Sequence, residues 1–193
     1  MKIEELKNKI LTKPIPKTIA FILDGNGRWA KKRGMPRTFG HAKGIEALVK
    51  TSENCREIGV KTMLVYAFST ENWSRPSEEV EYLMKALISS LDKYKNKLLK
   101  NKTRVIVLGE RSNLPEDVLK TINEVEELTK DFTSYTLGIC FNYGGRQEIV
   151  HATKEICKQV LDGKMSIDDI DVNAIESNLY TYGMAEPART MVV

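Results

Sequence analysis

Four short runs of the chain, residues 18–23, 62–68, 104–108 and 135–141, are almost wholly apolar. They are rich in Val, Ile, Leu and aromatic residues and show little polar alternation, which predicts strands covered on both faces. Between them, apolar positions recur every three or four residues, the period of a helix with one buried face. Residues 41–58 bring Ile45, Leu48, Val49 and Cys55 to one side. Residues 77–100 do the same with Val80, Leu83, Met84, Leu87, Ile88, Leu91, Tyr94 and Leu98. That second helix opens on Pro76 and early glutamates and ends in lysines, matching the helix dipole. Residues 115–130 and 146–161 read as two more helices, and a shorter one is expected over 167–180. The alternation predicts a single α/β domain over 1–193, with a mostly parallel central sheet and helices on both faces.

Hydrophobic residues make up 41% of the chain and charged residues 29%, the balance of a packed globular protein rather than a disordered or fibrous one. No apolar run approaches the ~20 residues of a membrane-spanning helix. The N-terminal Met1-Lys2-Ile3-Glu4-Glu5 carries no apolar signal core, so the expected location is the cytoplasm. Cys55, Cys140 and Cys157 are odd in number and far apart, with only His41 and His151 to assist. That pattern argues against a disulfide framework or a zinc site and predicts buried, reduced thiols. Charge changes the picture more. Residues 1–50 hold 12 Lys/Arg against 4 Asp/Glu, whereas residues 51–193 hold 18 against 22. The excess peaks where Arg28, Lys31, Lys32, Arg33, Arg37 and Lys43 meet no acidic residue. Such a patch attracts polyanions, either nucleic acid or a phosphorylated small molecule.

Ligands of open parallel sheets bind beyond the carboxyl ends of the strands, which directs attention to the loops 24–35, 69–76, 109–114 and 142–146. The first reads Asp24-Gly25-Asn26-Gly27-Arg28-Trp29-Ala30. Its glycines let backbone amides face an anion, and Arg28 offers a forked charge to phosphate. The spacing also fits the dinucleotide fingerprint, but the acidic residue that motif needs ~20 positions on would be Glu46, inside a predicted helix. Asp24 beside a phosphate cradle makes sense when a Mg²⁺ lies between them. A phosphate-binding Walker loop fails on spacing at Gly34 and Gly40, with His41 where lysine is required. His41 is expected to begin a helix, so that ring and helix N-terminus together face a phosphate. The second loop crowds Ser69, Thr70, Glu71, Asn72, Trp73 and Arg75 behind a buried strand, and the fourth is another glycine-bearing turn. The long apolar helix at 77–100 is either ordinary core or, with the 41–58 helix, the wall of a hydrophobic cleft.

Taken together, Ile19-Ala20-Phe21-Ile22-Leu23-Asp24-Gly25-Asn26-Gly27-Arg28-Trp29-Ala30, then Gly40-His41 and Gly44, then Tyr66-Ala67-Phe68-Ser69-Thr70-Glu71-Asn72-Trp73-Ser74-Arg75-Pro76, then Asn142-Tyr143-Gly144-Gly145-Arg146 resemble the cis-prenyltransferase family, most closely bacterial undecaprenyl diphosphate synthases. The resemblance implies condensation of isopentenyl diphosphate with an allylic diphosphate, usually farnesyl diphosphate, in cis geometry. It implies Mg²⁺ on Asp24, which also helps the diphosphate leave. Gly25, Asn26, Gly27, Arg28, Arg37, His41 and Arg75 would cradle the allylic diphosphate. Trp29, Ser69, Thr70, Glu71 and Trp73 would line the reacting end, and Asn72 matches the residue proposed to accept the proton. A hydrophobic tunnel between sheet and long helices, a homodimer and peripheral membrane contact through the lipid product are implied as well. Nucleic acid is not an expected partner, because the basic patch falls inside the matched motif and lacks interleaved stacking aromatics. Two departures stand out. Thr18 occupies a position where the family commonly has histidine. The final Ala188-Arg189-Thr190-Met191-Val192-Val193 holds little of the arginine-rich motif with which the family binds isopentenyl diphosphate, and the last sheet strand and much of the dimer surface are expected to be missing. Other functions are therefore weighed: ionisation of one prenyl diphosphate by a hydrolase or terpene cyclase, and a non-catalytic partner subunit. Retention of Asp24, Arg28 and Asn72 argues against the last.

Overall fold

A short amphipathic helix, α1 (Ile3–Leu11), leads into β1 (Thr18–Ile22), α2 (Asn26–Lys31), α3 (Arg37–Glu57) and β2 (Thr62–Ser69). A 3-10 turn (Thr70–Ser74) then precedes α4 (Ser77–Lys100), β3 (Thr103–Leu108), α5 (Glu116–Thr129) and β4 (Tyr135–Tyr143). The chain continues through α6 (Gly145–Leu161), a 3-10 turn at Ile167–Asp169, α7 (Val172–Ser177) and β5 (Thr190–Val192). This computed structural model describes residues 3–184 and 190–192. The strands form one sheet in the order β3-β4-β2-β1-β5, parallel at every pairing. Helices cover both faces, as the continuous apolar strands require.

Two apolar clusters fill the interior. One joins Phe68, Val105, Val107 and Phe141 of the sheet to Val80, Met84, Leu87 and Leu91 of α4 and Val118, Ile122 and Val125 of α5. The other joins Ile19, Met63, Val65 and Tyr135 to Cys55 of α3. The register of β2 against β4 shifts between Tyr66 and Phe68 and again between Phe68 and Ser69. A bulge there re-aims the strand end. Phe68 is thereby buried against Phe141 and Trp73, with ring centroids 5.2 and 5.3 Å away, and the following 3-10 turn is pinned above the sheet.

Several expectations need correction. The loop expected at 24–35 contains α2, a helix with no apolar periodicity that is held by contact instead. A Cβ on Gly40 would stand 2.0 Å from the Asn26 carbonyl oxygen, so only glycine allows α2 to press so closely on α3. α3 begins at Arg37, so His41 lies one turn inside it rather than at its start. The helix expected over 167–180 is a 3-10 turn followed by the six-residue α7. The last sheet strand, expected to be missing, is present as β5, with Thr190, Met191 and Val192 pairing beside Thr18, Ile19 and Ala20. An open β1 edge would leave a row of backbone groups unpaired, and three residues suffice to cover part of it. Cys55 and Cys140 are buried as expected, but Cys157 is exposed on the outer side of α6. α1, which the apolar runs did not announce, is fastened by Lys7 Nζ to Glu57 Oε2 of α3 at 3.1 Å.

The β3 edge is sealed by side chains of α5. The Val105 N–H donates to Thr129 Oγ1 (3.0 Å) and the Val107 N–H to Glu126 Oε1 (2.8 Å). Arg111 Nη2 donates to the Val107 carbonyl (3.1 Å) and to both Glu126 oxygens (2.9 Å). Thr129→Val keeps the side-chain shape but leaves a buried N–H without an acceptor. It should cost about 1–3 kcal/mol in urea unfolding. An unchanged unfolding free energy would remove this bond from the account of the edge.

Candidate functional site

The carboxyl ends of β1, β2 and β4 open onto a cavity of about 530 Å³. Its walls are apolar side chains of the sheet (Val65, Leu137, Ile139, Phe141) and of the facing helices (Leu48 and Val49 of α3, Leu83, Leu87 and Leu91 of α4). This is the hydrophobic tunnel expected between the sheet and the long helices. Burial pushes the Cys140 thiol up to about 12 and the Tyr135 phenol up to about 12, so these wall groups are neutral at pH 7.

At the mouth the chain leaves β1 through Asp24 and turns at Gly25, whose φ of 85° is the left-handed conformation that glycine takes without strain. The turn folds the Asp24 carboxylate back: Oδ1 accepts the Gly25 N–H and Oδ2 accepts Arg28 Nη2, both at 2.6 Å. The Gly25 N–H first, and the Arg28 hydrogen bond and charge next, hold the Asp24 carboxyl below its ordinary value. Asp24 and Arg28 remain 75% and 71% exposed, so an incoming anion or cation can reach both. The first turn of a helix leaves its N–H groups without intrahelical acceptors; here these belong to Asn26, Gly27 and Arg28, all in the cavity lining.

The other cations converge on a residue that sequence reasoning missed. Glu79, on the first turn of α4 and only 10% exposed, lies 2.8 Å from Arg75 Nη1, 3.2 Å from His41 Nε2 and 3.0 Å from Arg37 Nε. The Arg37 contact is an ion pair without hydrogen-bond alignment, since Nε is buried and lacks a partner by that stricter measure. Burial pushes the Glu79 carboxyl up, but the His41 hydrogen bond and the charges of Arg37 and Arg75 outweigh it, and the net shift is downward. The Arg37 guanidinium also lies over Gly27, 3.0 Å from where a Cβ would stand. The spacing Arg75–Glu79 (i, i+4) was the available signal; the helix-capping role of early glutamates concealed it.

Asn72, Ser69 and Glu71 line the mouth with these groups. Asn72 Oδ1 accepts the Ser69 N–H at 3.1 Å, closing the 3-10 turn on itself. Trp29, Thr70 and Trp73 are not among the lining residues. Trp29 stacks on Phe39 with Arg33 over its ring. Thr70 abuts the turn at Gly144. The Trp73 indole donates to Asn142 Oδ1 at 2.7 Å. Asn142, buried and at φ 52°, also donates from Nδ2 to the Glu110 carbonyl at 2.7 Å. The loops after β2 and β3 are thereby tied to the end of β4 at one side chain. Among the described residues no group of three His, Cys, Asp or Glu side chains could hold a metal ion. Asp24, ionised and exposed, instead fits a magnesium shared with phosphate oxygens, which needs only one or two carboxylates. No helix among the described residues is long and apolar enough to cross a membrane.

Residues 22–191 match the family model described as "Putative undecaprenyl diphosphate synthase". The isoprenyl transferase of Fusobacterium nucleatum is 50% identical over 161 residues, 83% of this chain and 69% of that one. That of Clostridium perfringens is 46% identical over 173 residues, 90% of this chain and 68% of that one. The crystal structure of lavandulyl diphosphate synthase from Lavandula x intermedia, in complex with dimethylallyl diphosphate, superposes with a TM-score of 0.83 at 30% identity, over 86% of this chain and 72% of that one. A probable undecaprenyl diphosphate synthase from Campylobacter jejuni gives 0.68 at 28% identity, over 87% and 70%. The family match spans most of the chain, the bacterial relatives are 46–50% identical over more than two thirds of their length, and the fold superposes: the chain belongs to the undecaprenyl diphosphate synthase family of cis-prenyltransferases.

Proposed function

We propose that this chain lengthens farnesyl diphosphate with isopentenyl diphosphate in cis geometry, in a Mg²⁺-dependent reaction yielding a longer polyprenyl diphosphate. The carrying observation is the junction at the cavity mouth, where Asp24, Arg28 and the Glu79-held cations border an apolar channel. An allylic diphosphate has the matching halves, an anionic head and a hydrocarbon tail. Its head would meet Arg28, Arg37, His41 and Arg75 with the amides of the Gly25–Arg28 turn, and its tail the channel walls. Asp24 would hold Mg²⁺ together with phosphate oxygens; the ion, when bound, neutralises charge on the departing diphosphate. In the condensation the allylic C–O bond breaks with its electron pair going to diphosphate, the alkene of isopentenyl diphosphate forms the new C–C bond, and a proton leaves the adjacent carbon.

The protein's part is largely electrostatic and exclusive. Preorganised cations stabilise the leaving group without reorganising, and the apolar wall keeps water from capturing the allylic carbon. Asn72 is our candidate to take up the departing proton: one lone pair of its Oδ1 is used by Ser69, which leaves the other. Ser69 and Glu71 border the same space. Trp29, Thr70 and Trp73 would act by supporting the mouth from behind. We place the reaction in the cytoplasm, with the membrane met through the lipid product. A homodimer is the proposed assembly, and exposed Ile149, Val150 and Leu161 on α6 offer apolar surface for a partner copy.

Glu79 would be a positioning residue, acting through the three cations it gathers. Because its folded pKa lies below the ordinary 4.5, the stabilisation it gives is complete above that value. It is lost as pH falls through the lowered folded value. Glu79→Gln should therefore cost about 2–3 kcal/mol at pH 7, less than a fully buried pair because Arg37 and Arg75 reach solvent. Denaturant unfolding of both proteins should show the gap closing as pH drops below the glutamate range; a gap independent of pH would contradict the charge account. For the reaction itself, the protein is incubated with farnesyl diphosphate, labelled isopentenyl diphosphate and Mg²⁺, and the lipid is extracted. Label should enter a longer chain, and Asp24→Ala should reduce incorporation by roughly 10²–10³-fold while circular dichroism stays unchanged. Farnesyl diphosphate consumed without incorporation would favour the one-substrate chemistry, and no reaction of either kind would defeat the proposal.

A further inference from the structure

The cavity is closed in two different ways at its far end and along its side. At the far end the closure is polar and cross-linked. Lys97 Nζ of α4 pairs with Glu53 Oε1 of α3 at 2.6 Å, and the Tyr135 hydroxyl lies 3.2 Å from Ser52 Oγ. A hydrocarbon advancing that way would have to break these contacts and strip water from charged groups, which is costly. Along the side, between α3 and α4, the closure is thin. A second groove of about 310 Å³ runs along the outside of the same helix pair. Ile45, Ala86, Ser90 and Tyr94 line both spaces, so the partition is one side chain thick. Two of the four are small. The helices are tied at the front by Tyr82 to the Thr38 carbonyl (3.1 Å) and by Glu79 to Arg37 and His41, and at the rear by Glu53 to Lys97. Among the described residues no hydrogen bond or ion pair joins α3 to α4 in the stretch between.

Volume makes the side wall consequential. A cavity of about 150 Å³ accommodates a benzene ring, so about 530 Å³ holds roughly 20 carbons. Farnesyl fits. A chain extended much further does not, unless the protein gives way somewhere, and the seam is the thinnest wall: Glu46 of α3 and Lys93 of α4 attract one another across the outer groove, but no direct hydrogen bond or ion pair among the described residues clamps the helices there. We propose that the α3–α4 seam is a side portal through which the distal part of a long prenyl chain passes into the outer groove. The proposal rests on the prenyl diphosphate reading of the mouth and adds where the hydrocarbon goes.

Ser89 and Ala42 line the outer groove and not the cavity, so filling it from these positions leaves the inner walls in place. Calorimetric titration compares farnesyl diphosphate with a polyprenyl diphosphate more than twice the length the cavity can hold, on the unmodified protein, Ser89→Trp, Ala42→Trp and the control Ser89→Ala. Expected is a loss of roughly tenfold or more in long-chain affinity for the tryptophan variants, the worth of about two buried methylenes. Farnesyl diphosphate affinity and the control should be unchanged. Because Ser89 is exposed, Ser89→Trp alone decides the matter should Ala42→Trp fail to fold. Equal affinity for the long chain with and without the tryptophan overturns the portal, as does an equal loss for both ligands. An unmodified protein that binds farnesyl diphosphate but not the long chain also overturns it, with the reading of the mouth intact. Binding of neither ligand overturns both.

Discussion

One carboxylate holds the mouth of this molecule in shape. Glu79 belongs to α4, Arg75 to the segment before it, and Arg37 and His41 to α3. Without the glutamate, three cationic or ionisable groups from two elements would face one another across a partly buried gap, and their repulsion would part the helices at the entrance. With it, mutual repulsion becomes a shared attraction to one anion. Two arginines against one glutamate also leave the cluster net positive. The same contact that stabilises the fold thus keeps a positive field for an anionic ligand.

The rest of the entrance is built on close approaches that only particular residues permit. Gly40 lets the backbone of α2 touch α3, and Gly27 makes room for the Arg37 guanidinium. Gly25 turns the chain so that Asp24 meets both its own loop and Arg28. Asn142, at the end of β4, fastens Trp73 and the Glu110 carbonyl, so the loops after β2 and β3 share one bracket on the strand between them. Charge gathers on the short segments at 24–28 and 75 and on the first turns of α3 and α4, whereas the apolar chamber behind them is walled by the later turns of those helices and by the sheet.

The strands and long helices were legible in the sequence because their apolar residues are both numerous and periodic. All four runs became strands, and 77–100 became α4 without adjustment. The elements that went unread are those whose stability comes from elsewhere. α2 is six residues long, has a glycine inside it and another just before it, and leans on α3. α1 is held by an ion pair to α3. β5 is three residues long and exists because β1 offers it a ladder. The mouth was legible as chemistry, since Asp24, Arg28, Arg37, His41, Asn72 and Arg75 all line one cavity. Glu79 escaped because a glutamate in the first turn of a helix already has an ordinary explanation in the helix dipole. Trp29 and Trp73 lie in the same loops but outside the cavity lining, a distinction of side-chain direction that no spacing encodes.

The pairing of Thr18 with Thr190 has a consequence for the order in which the molecule is made. A ribosome delivers β1 early, yet one flank of that strand waits until residues beyond 190 have emerged. Throughout that interval β1 presents an unpaired edge, a template for wrong partners. β3 has no such interval of its own making, because α5, which follows it directly, supplies Thr129 and Glu126 as acceptors. The two margins of the sheet thus differ in time as well as in composition: one is closed within a few dozen residues of its synthesis, and the other only once the distant segment at 190–192 has been made.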